Sequence, residues 1–164
     1  MPREIERKFL VADDGWRGEA DRGRRFRQAY LAETERAAIR VRIEDGMCAV
    51  LTIKSAEPGL SRAEFEYSVP VDDAEALTEL RQGNVLDKTR YRTPYGGRVW
   101  EVDVYAGENE GLIVAEVEID SESDRIDLPA WLGDEVTDSS RYYAAKLARH
   151  PFRAWTDAER RGRR

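Results

Sequence analysis

The sequence predicts a mainly β protein with a few short helices, built from about eight antiparallel strands. Two observations predict this fold class. Charged and apolar residues alternate through much of the first two thirds of the 164-residue chain, and a period of two is typical of strands. The tight-turn pairs Asp45-Gly46 and Gly96-Gly97 separate alternating runs, and such pairs favour hairpins. A sheet of this size usually closes into a barrel or folds into two layers.

The strand pattern occupies five segments, in chain order: residues 3–11, 24–32, 37–54, 62–71 and 87–120. In the first, REIERKFLV, Glu6 and Lys8 lie on the face opposite Ile5, because side chains alternate along a strand. Pro70 ends the fourth segment or places it near a sheet edge, since proline lacks the N–H that a central strand donates. A further turn is predicted within the last segment, at residues 109–111.

Helices are predicted at three places. Residues 72–83 form a short helix with an aspartate cap and a terminal glycine. Residues 128–133 form a single helical turn, and residues 138–151 form a helix that Pro151 ends. The chain from Arg153 onward is basic and is expected to be loose. We therefore expect one domain over residues 1–152 and a basic C-terminal tail over residues 153–164.

Composition excludes several classes of function. The net charge of −6 argues against a general nucleic-acid binder. No run approaches the roughly 20 apolar residues of a membrane span, and no apolar segment of a signal peptide follows the N-terminus. Cys48 is the single cysteine, so no internal disulfide is possible and a reducing compartment is expected. The sequence thus predicts a cytoplasmic protein that binds neither nucleic acid nor membrane.

The strands carry an unusual charge pattern. The polar positions are nearly all ionised, and acidic and basic pairs occupy different strands, as in Glu101 with Asp103 against Arg40 with Arg42. Each strand alone is typical of a solvent-exposed face. Together they also suit a cavity that holds a polyanion, since Arg and Lys bind phosphate oxygens and carboxylates hold hard cations. Pattern alone leaves both interpretations open.

The motif EIERKF resembles the ExExK signature of the CYTH superfamily, the triphosphate tunnel metalloenzymes. The segments QAYL, IRVR, LTIK, SRAEFEY, KTRY, WEVDVY, AEVEI and VTDSSRYYAAKLARHPF follow in the order of that family. The resemblance extends from Glu4 to about Phe152. It implies a closed, antiparallel, eight-stranded β-barrel whose charged interior forms a tunnel. The outward apolar faces would then need cover from helices or from a second copy of the chain, as in a homodimer.

The resemblance implies the residues of the site. The triphosphate would be bound by Lys8, Arg40, Arg42, Lys54, Arg62, Lys88 and Arg90. Metal ions would be held by Glu4, Glu6, Glu101, Asp103, Glu116 and Glu118. Glu64 and Glu66 would support the basic residues through ion pairs. Catalysis is assigned to Lys8, Glu6, Asp103 and Tyr30. Tyr30 either reaches the tunnel or packs in its wall, and Arg62 either contacts phosphate or forms a surface ion pair.

The resemblance implies metal-dependent hydrolysis of inorganic triphosphate to pyrophosphate and phosphate, with two Mg²⁺ or Mn²⁺ ions. The alternatives within the family are thiamine triphosphatase, nucleoside triphosphatase and class IV adenylyl cyclase. These need a pocket for an organic group, which the sequence does not reveal. A non-catalytic module that binds triphosphate or polyphosphate is the remaining alternative, although the complete acidic set favours catalysis. No GxxxxGK[ST] phosphate loop is present.

Overall fold

The computed structural model describes residues 5–55 and 63–161. Its framework is one antiparallel sheet of nine strands in the order β5-β4-β3-β2-β6-β7-β8-β1-β9. The strands are Ile5–Val11 (β1), Arg24–Glu33 (β2), Ala37–Glu44 (β3), Cys48–Ser55 (β4), Glu64–Val69 (β5), Gln82–Tyr95 (β6), Arg98–Ala106 (β7), Ile113–Ile119 (β8) and Leu132–Glu135 (β9). The predicted mainly β class with short helices is confirmed.

The sheet differs from the prediction in its strand number and in its ends. It has nine strands where eight were expected, because β9 adds to β1 through the pairs Phe9–Glu135 and Val11–Leu132. The single helical turn expected at residues 128–133 is wrong, since that segment is a turn that leads directly into β9. Within the described residues, β5 and β9 stand at the two ends of the sheet with no ladder between them.

The helices are shorter than predicted. They are Val71–Thr78 (α1), Ala144–Arg149 (α2) and Asp157–Arg160 (α3). The expected helix over residues 138–151 is split, because a 3-10 turn at Ser140–Tyr142 precedes α2. Gly83, expected to end the first helix, lies in β6 with a positive φ of 72°, and a Cβ there would lie 2.5 Å from the Ala148 carbonyl oxygen. Glycine therefore permits α2 to approach β6 closely.

Most of the apolar face of the sheet is covered by the chain itself. A cluster around Phe9, Trp100 and Val117 packs under Trp16 and Trp131, which come from the loops before β2 and β9. A second cluster on β2, β3 and β4 packs against α1. Burial of these aromatic and aliphatic side chains stabilises the sheet. Helices were predicted to cover the apolar face of the sheet, and the structure shows that loops cover part of it as well.

The C-terminal segment covers one end of the opposite, charged face. Leu86, Tyr105 and Val114 occupy positions in phase with the charged residues, yet they pack against Leu147 and Trp155. The expectation of a loose chain after Arg153 is wrong as far as residue 161, because Trp155 is buried and α3 has a complete capping box. Among the described residues, no helix is long and apolar enough to cross a membrane.

Candidate active site

The strand register places the predicted charged residues on one face of the sheet. Directly opposed residues point to the same side, and the opposed pairs connect β5 to β1 without a break. These pairs are Glu64–Lys54, Glu66–Thr52, Thr52–Arg40, Arg40–Tyr30, Arg24–Arg90, Arg90–Asp103, Glu101–Glu116, Glu116–Lys8 and Glu118–Glu6. Same-face placement was predicted strand by strand, and the register now joins those strands into one charged face.

A buried ion network occupies β6 and β7. Asp103 accepts from Lys88 Nζ at 2.9 Å and from Arg90 Nε and Nη2 at 2.7 and 3.0 Å, so both carboxylate oxygens are engaged. The side chains of Lys88 and Asp103 are only 7% and 3% exposed. Arg90 also lies 3.3 Å from Glu101 and 3.9 Å from Glu116. The arrangement fixes two cations in place before any anion binds.

Burial and neighbouring charges shift the pKa values of the residues in this network. Burial opposes the charge on Asp103, but Lys88 and Arg90 outweigh burial and hold the pKa of that carboxyl well below its usual range. Burial likewise opposes the charge on Arg90, and Asp103, Glu101 and Glu116 raise its pKa overall. Burial, together with the nearby carboxylates, raises the pKa of Tyr105 well above its usual value. Near neutral pH Asp103 and Arg90 are therefore charged and the phenol of Tyr105 is not, whereas burial lowers the pKa of Lys88 and Asp103 opposes that lowering.

Lys8 lies where the charged face meets the C-terminal segment that covers its apolar end. Its Nζ lies 3.2 Å from Glu116 Oε1 and donates to the Tyr142 carbonyl oxygen at 3.3 Å. The same ammonium stands 5.4 Å from the ring centre of Tyr143, within the range of a cation–π contact. The C-terminal segment therefore helps to hold the lysine of the ExExK motif.

The arginines of β3 have few acidic partners. Arg42 stacks on Phe26 at 4.8 Å from the ring centre, and Arg90 lies on the same ring at 5.5 Å. Burial, with the charges of Arg40 and Arg90, lowers the pKa of Arg42. Among the described residues, Arg40 Nε is buried without a hydrogen-bond partner. Arg40 and Arg42 thus have no ion pair among the described residues, although the charges of Glu66 and Glu44 oppose the lowering of the Arg42 pKa.

A cavity of about 230 Å³ opens beside these arginines. Its wall is formed by Phe26, by four arginines and by three carboxylates: Arg24, Arg42, Arg90, Arg92, Asp21, Glu44 and Glu101. A larger cavity of about 350 Å³ lies on the opposite face, where Arg25 and Arg27 are already paired with Asp87 and Glu75. We place the candidate site at the smaller cavity, because it lies on the charged face, beside Arg42 and Arg90.

The remaining predicted residues lie around this centre. Lys54 Nζ is 3.8 Å from Glu64 Oε1. Tyr30 is half-buried and packs against the apolar cluster under the C-terminal segment, which favours the wall-packing alternative for its ring. Glu6 and Glu118 oppose each other across β1 and β8 and are exposed. Two predicted residues, Glu4 and Arg62, lie outside the described residues.

The acidic residues offer ligand atoms of the right type for a hard cation, but they are not grouped into a preformed metal site. Glu6, Glu101, Glu116 and Glu118 offer the oxygen ligands that Mg²⁺ and Mn²⁺ prefer. In the part of the chain that the structure describes, no three acidic, histidine or cysteine residues are grouped closely enough to hold a metal ion. Mg²⁺ is commonly bound by one or two carboxylates together with substrate phosphates. The donor set therefore fits an ion that the substrate helps to bind.

Sequence reasoning missed several residues of this face. Arg24, paired with Glu44 at 2.8 Å, lines the cavity, and Phe26 provides the platform for two arginines. Thr52, fully buried, stands between Arg40 and Glu66 in the register. The period of two places all three on this face, and the LTIK segment already put Thr52 beside Lys54 there. The search for charged pairs nevertheless gave none of the three a role in the site.

The chain matches a known protein family and two proteins of that kind. The model of the CYTH domain family matches residues 2–150. The inorganic triphosphatase of Acetivibrio thermocellus is 38% identical over 154 residues, which are 93% of this chain and 97% of that relative. The inorganic triphosphatase of Nitrosomonas europaea is 40% identical over 152 residues, which are 88% of this chain and 96% of that relative.

Solved structures agree as well. A structure of an inorganic triphosphatase has a TM-score of 0.70 at 36% identity, and the match covers 90% of this chain and 95% of that one. A protein from Hippeastrum with a dominant triphosphatase activity has a TM-score of 0.55 at 15% identity, over 72% of this chain and 80% of that one. At that identity the second likeness is one of fold alone.

Proposed function

The chain belongs to the CYTH domain family, and from that premise we propose that it hydrolyses inorganic triphosphate to pyrophosphate and phosphate in a metal-dependent reaction. The observation that carries the proposal is the charged face, on which Arg40 and Arg42, without an ion pair among the described residues, stand beside carboxylates. Two relatives above 35% identity carry the name inorganic triphosphatase. Phosphoryl transfer depends mainly on positioning and on neutralising charge, which such a face supplies.

The basic residues bind and orient the phosphate chain in this proposal. Arg40 and Arg42 provide the charge that has few acidic partners in the free protein. Lys88 and Arg90 are fixed by Asp103 and present their remaining N–H groups to phosphate oxygens. Lys8, held by Glu116 and the Tyr142 carbonyl, stabilises charge on the departing phosphate. Preorganised cations such as Lys8, Lys88 and Arg90 lower the barrier because they need no rearrangement during the reaction.

The carboxylates divide into two roles. Glu6, Glu101, Glu116 and Glu118 are the proposed metal ligands, with Glu4 as a further candidate outside the described residues. A bound Mg²⁺ or Mn²⁺ ion neutralises charge on phosphate oxygens and lowers the pKa of a bound water. Asp103 has both oxygens in ion pairs, so we assign it to positioning Lys88 and Arg90 rather than to metal binding. Glu64 keeps its proposed supporting role beside Lys54.

An inorganic substrate is favoured over one with an organic group. The apolar end of the charged face is filled by Tyr142, Leu147 and Trp155. A thiamine or nucleoside group therefore finds no apolar pocket at that end. On the apolar side of β5, Phe65 and Tyr67 are more than half exposed. A second copy of the chain could cover them, and the homodimer stays a prediction. The cytoplasmic location also stays a prediction.

Product release tests the proposal directly. Phosphate and pyrophosphate are measured from tripolyphosphate, ATP and thiamine triphosphate, each with Mg²⁺, with Mn²⁺ and with a chelator. We expect turnover of tripolyphosphate that needs a divalent metal and exceeds turnover of the other two. Turnover in chelator would contradict metal dependence. Tight tripolyphosphate binding without turnover would favour the non-catalytic module, and cyclic AMP from ATP would favour the cyclase.

A further inference from the structure

Thr52 is a buried polar residue in the middle of the charged face. It is 1% exposed, and its Oγ1 has no hydrogen-bond partner among the described residues. A buried hydroxyl without a partner loses its hydration and gains nothing in return. The position therefore carries a free-energy cost in the free protein, and valine would fit the same volume without that cost.

The neighbours of Thr52 show what would pair with its hydroxyl. Thr52 lies opposite Arg40 on β3 and opposite Glu66 on β5. Arg40 Nε is buried and also lacks a partner among the described residues. Two donors thus lie side by side in one register row without bonding to each other. An oxygen of an anion is the acceptor that both can share.

We propose that Thr52 and Arg40 together form a phosphate subsite, in which the Thr52 hydroxyl and Arg40 Nε donate to one phosphate oxygen. The inference rests on the proposed triphosphate site and adds to it a neutral donor. Thr52 is fixed on β4 between two paired strands, so the long, partly buried side chain of Arg40 moves to admit the oxygen. Lys54, two residues further along the same face, extends the subsite towards the end of the strand.

Isosteric substitution tests the subsite. Tripolyphosphate binding is measured by calorimetry in excess chelator for the wild type, Thr52→Val and Thr52→Ser, and unfolding is followed in denaturant. Since a hydrogen bond to a charged group is at stake, we expect Thr52→Val to weaken binding about tenfold. Thr52→Ser keeps the hydroxyl and should bind within about threefold of the wild type. Thr52→Val should unfold at the same denaturant concentration as the wild type or higher.

Thr78 provides the matched control. Its hydroxyl donates to the Ala74 carbonyl oxygen within α1 at 2.8 Å, away from the charged face. Thr78→Val should lower stability and leave tripolyphosphate affinity unchanged. Wild-type affinity in Thr52→Val would overturn the subsite. If Thr52→Val fails to fold, Thr52→Ala takes its place, and wild-type affinity in that variant would overturn the subsite equally.

Because binding is measured in chelator, without turnover, the experiment tests this inference separately from the proposed function. Tripolyphosphate that binds the wild type in chelator but is never hydrolysed with metal would remove the catalytic proposal and leave the subsite standing. Normal hydrolysis by the wild type, with no loss of affinity in Thr52→Val, would remove the subsite alone.

Discussion

Two regions of the charged face hold their cations in opposite ways. On β6 and β7, Lys88 and Arg90 are bound to one buried carboxylate, Asp103, at distances of 2.7–3.0 Å. On β3, Arg40 has a buried Nε without a partner among the described residues, and the pKa of Arg42 is lowered by burial and by its cationic neighbours. Nearly the same residue types are therefore ion-paired in one region and, among the described residues, without an ion pair in the other.

The difference separates the scaffold of the site from its binding surface. A buried charge is tolerated when a partner and hydrogen bonds compensate its desolvation, and removing the partner is then strongly destabilising. An uncompensated cation lowers the stability of the free protein but gains most when an anion arrives. We infer that the β6–β7 network gives the site its shape, and that the β3–β4 region gives it affinity for phosphate.

Asp103→Asn should produce the largest effect on stability. It removes the carboxylate that compensates two cations and should lower the free energy of unfolding by about 3–5 kcal/mol. Denaturant unfolding measures this change. Glu101→Gln is the control, because that side chain is 37% exposed and 3.3 Å from Arg90, and it should cost less than about 1 kcal/mol. Equal stabilities for the two variants would contradict a structural role for the network.

The pH dependence of the same variant sharpens this prediction. The pKa of Asp103 is depressed in the folded protein, so its contribution is complete above the unfolded pKa of about 3.9. It is lost as the pH falls from there towards the folded pKa. Asp103 should therefore contribute fully to the stability gap between wild type and Asp103→Asn from about pH 7 to pH 5, and its contribution should be lost only in stronger acid. A gap that closes near neutral pH would point to another group.

Arg42→Gln should show the reverse behaviour. Losing a cation that burial and like charges disfavour should leave the free energy of unfolding unchanged or slightly higher. Tripolyphosphate affinity in chelator should fall about tenfold or more, since a charge-assisted contact of about 1.5–3 kcal/mol is lost. Arg25→Gln, on the opposite face and paired with Asp87, should leave this affinity unchanged. A strongly destabilised Arg42→Gln would show that both regions are scaffold.

The sequence was sufficient to predict the charged face itself. Side-chain alternation is fixed by backbone geometry, so Glu101 with Asp103 and Arg40 with Arg42 fall on common faces wherever the strands are correct. The order of motifs then identified the family. What alternation could not predict is which charges pair across strands, because pairing depends on register. Asp103 was therefore expected at a metal, whereas the structure places it between Lys88 and Arg90.

The covered end of the face was also missed, for a physical reason. Leu86, Tyr105 and Val114 continue the alternation of the charged positions with apolar side chains, which signals that something covers them. Part of the cover comes from Trp155, in a segment rich in arginine that resembled a loose tail. The basic composition of that segment predicted a loose chain. Its order depends instead on packing of Trp155 against residues distant in the sequence, which local composition does not reveal.

Glu64→Gln should give the smallest effect, and it tests where the scaffold ends. Lys54 and Glu64 are 3.8 Å apart and about one third exposed, so solvent screens the pair and its loss should change stability by less than about 1 kcal/mol. Removing the negative charge beside Lys54 should leave tripolyphosphate affinity in chelator equal or slightly higher, since one anion near the lysine is lost. The same calorimetry and denaturant unfolding measure both quantities. A clear loss of affinity would instead mean that Glu64 orients Lys54, and the paired, structural part of the face would then extend across β4 to the edge of the sheet.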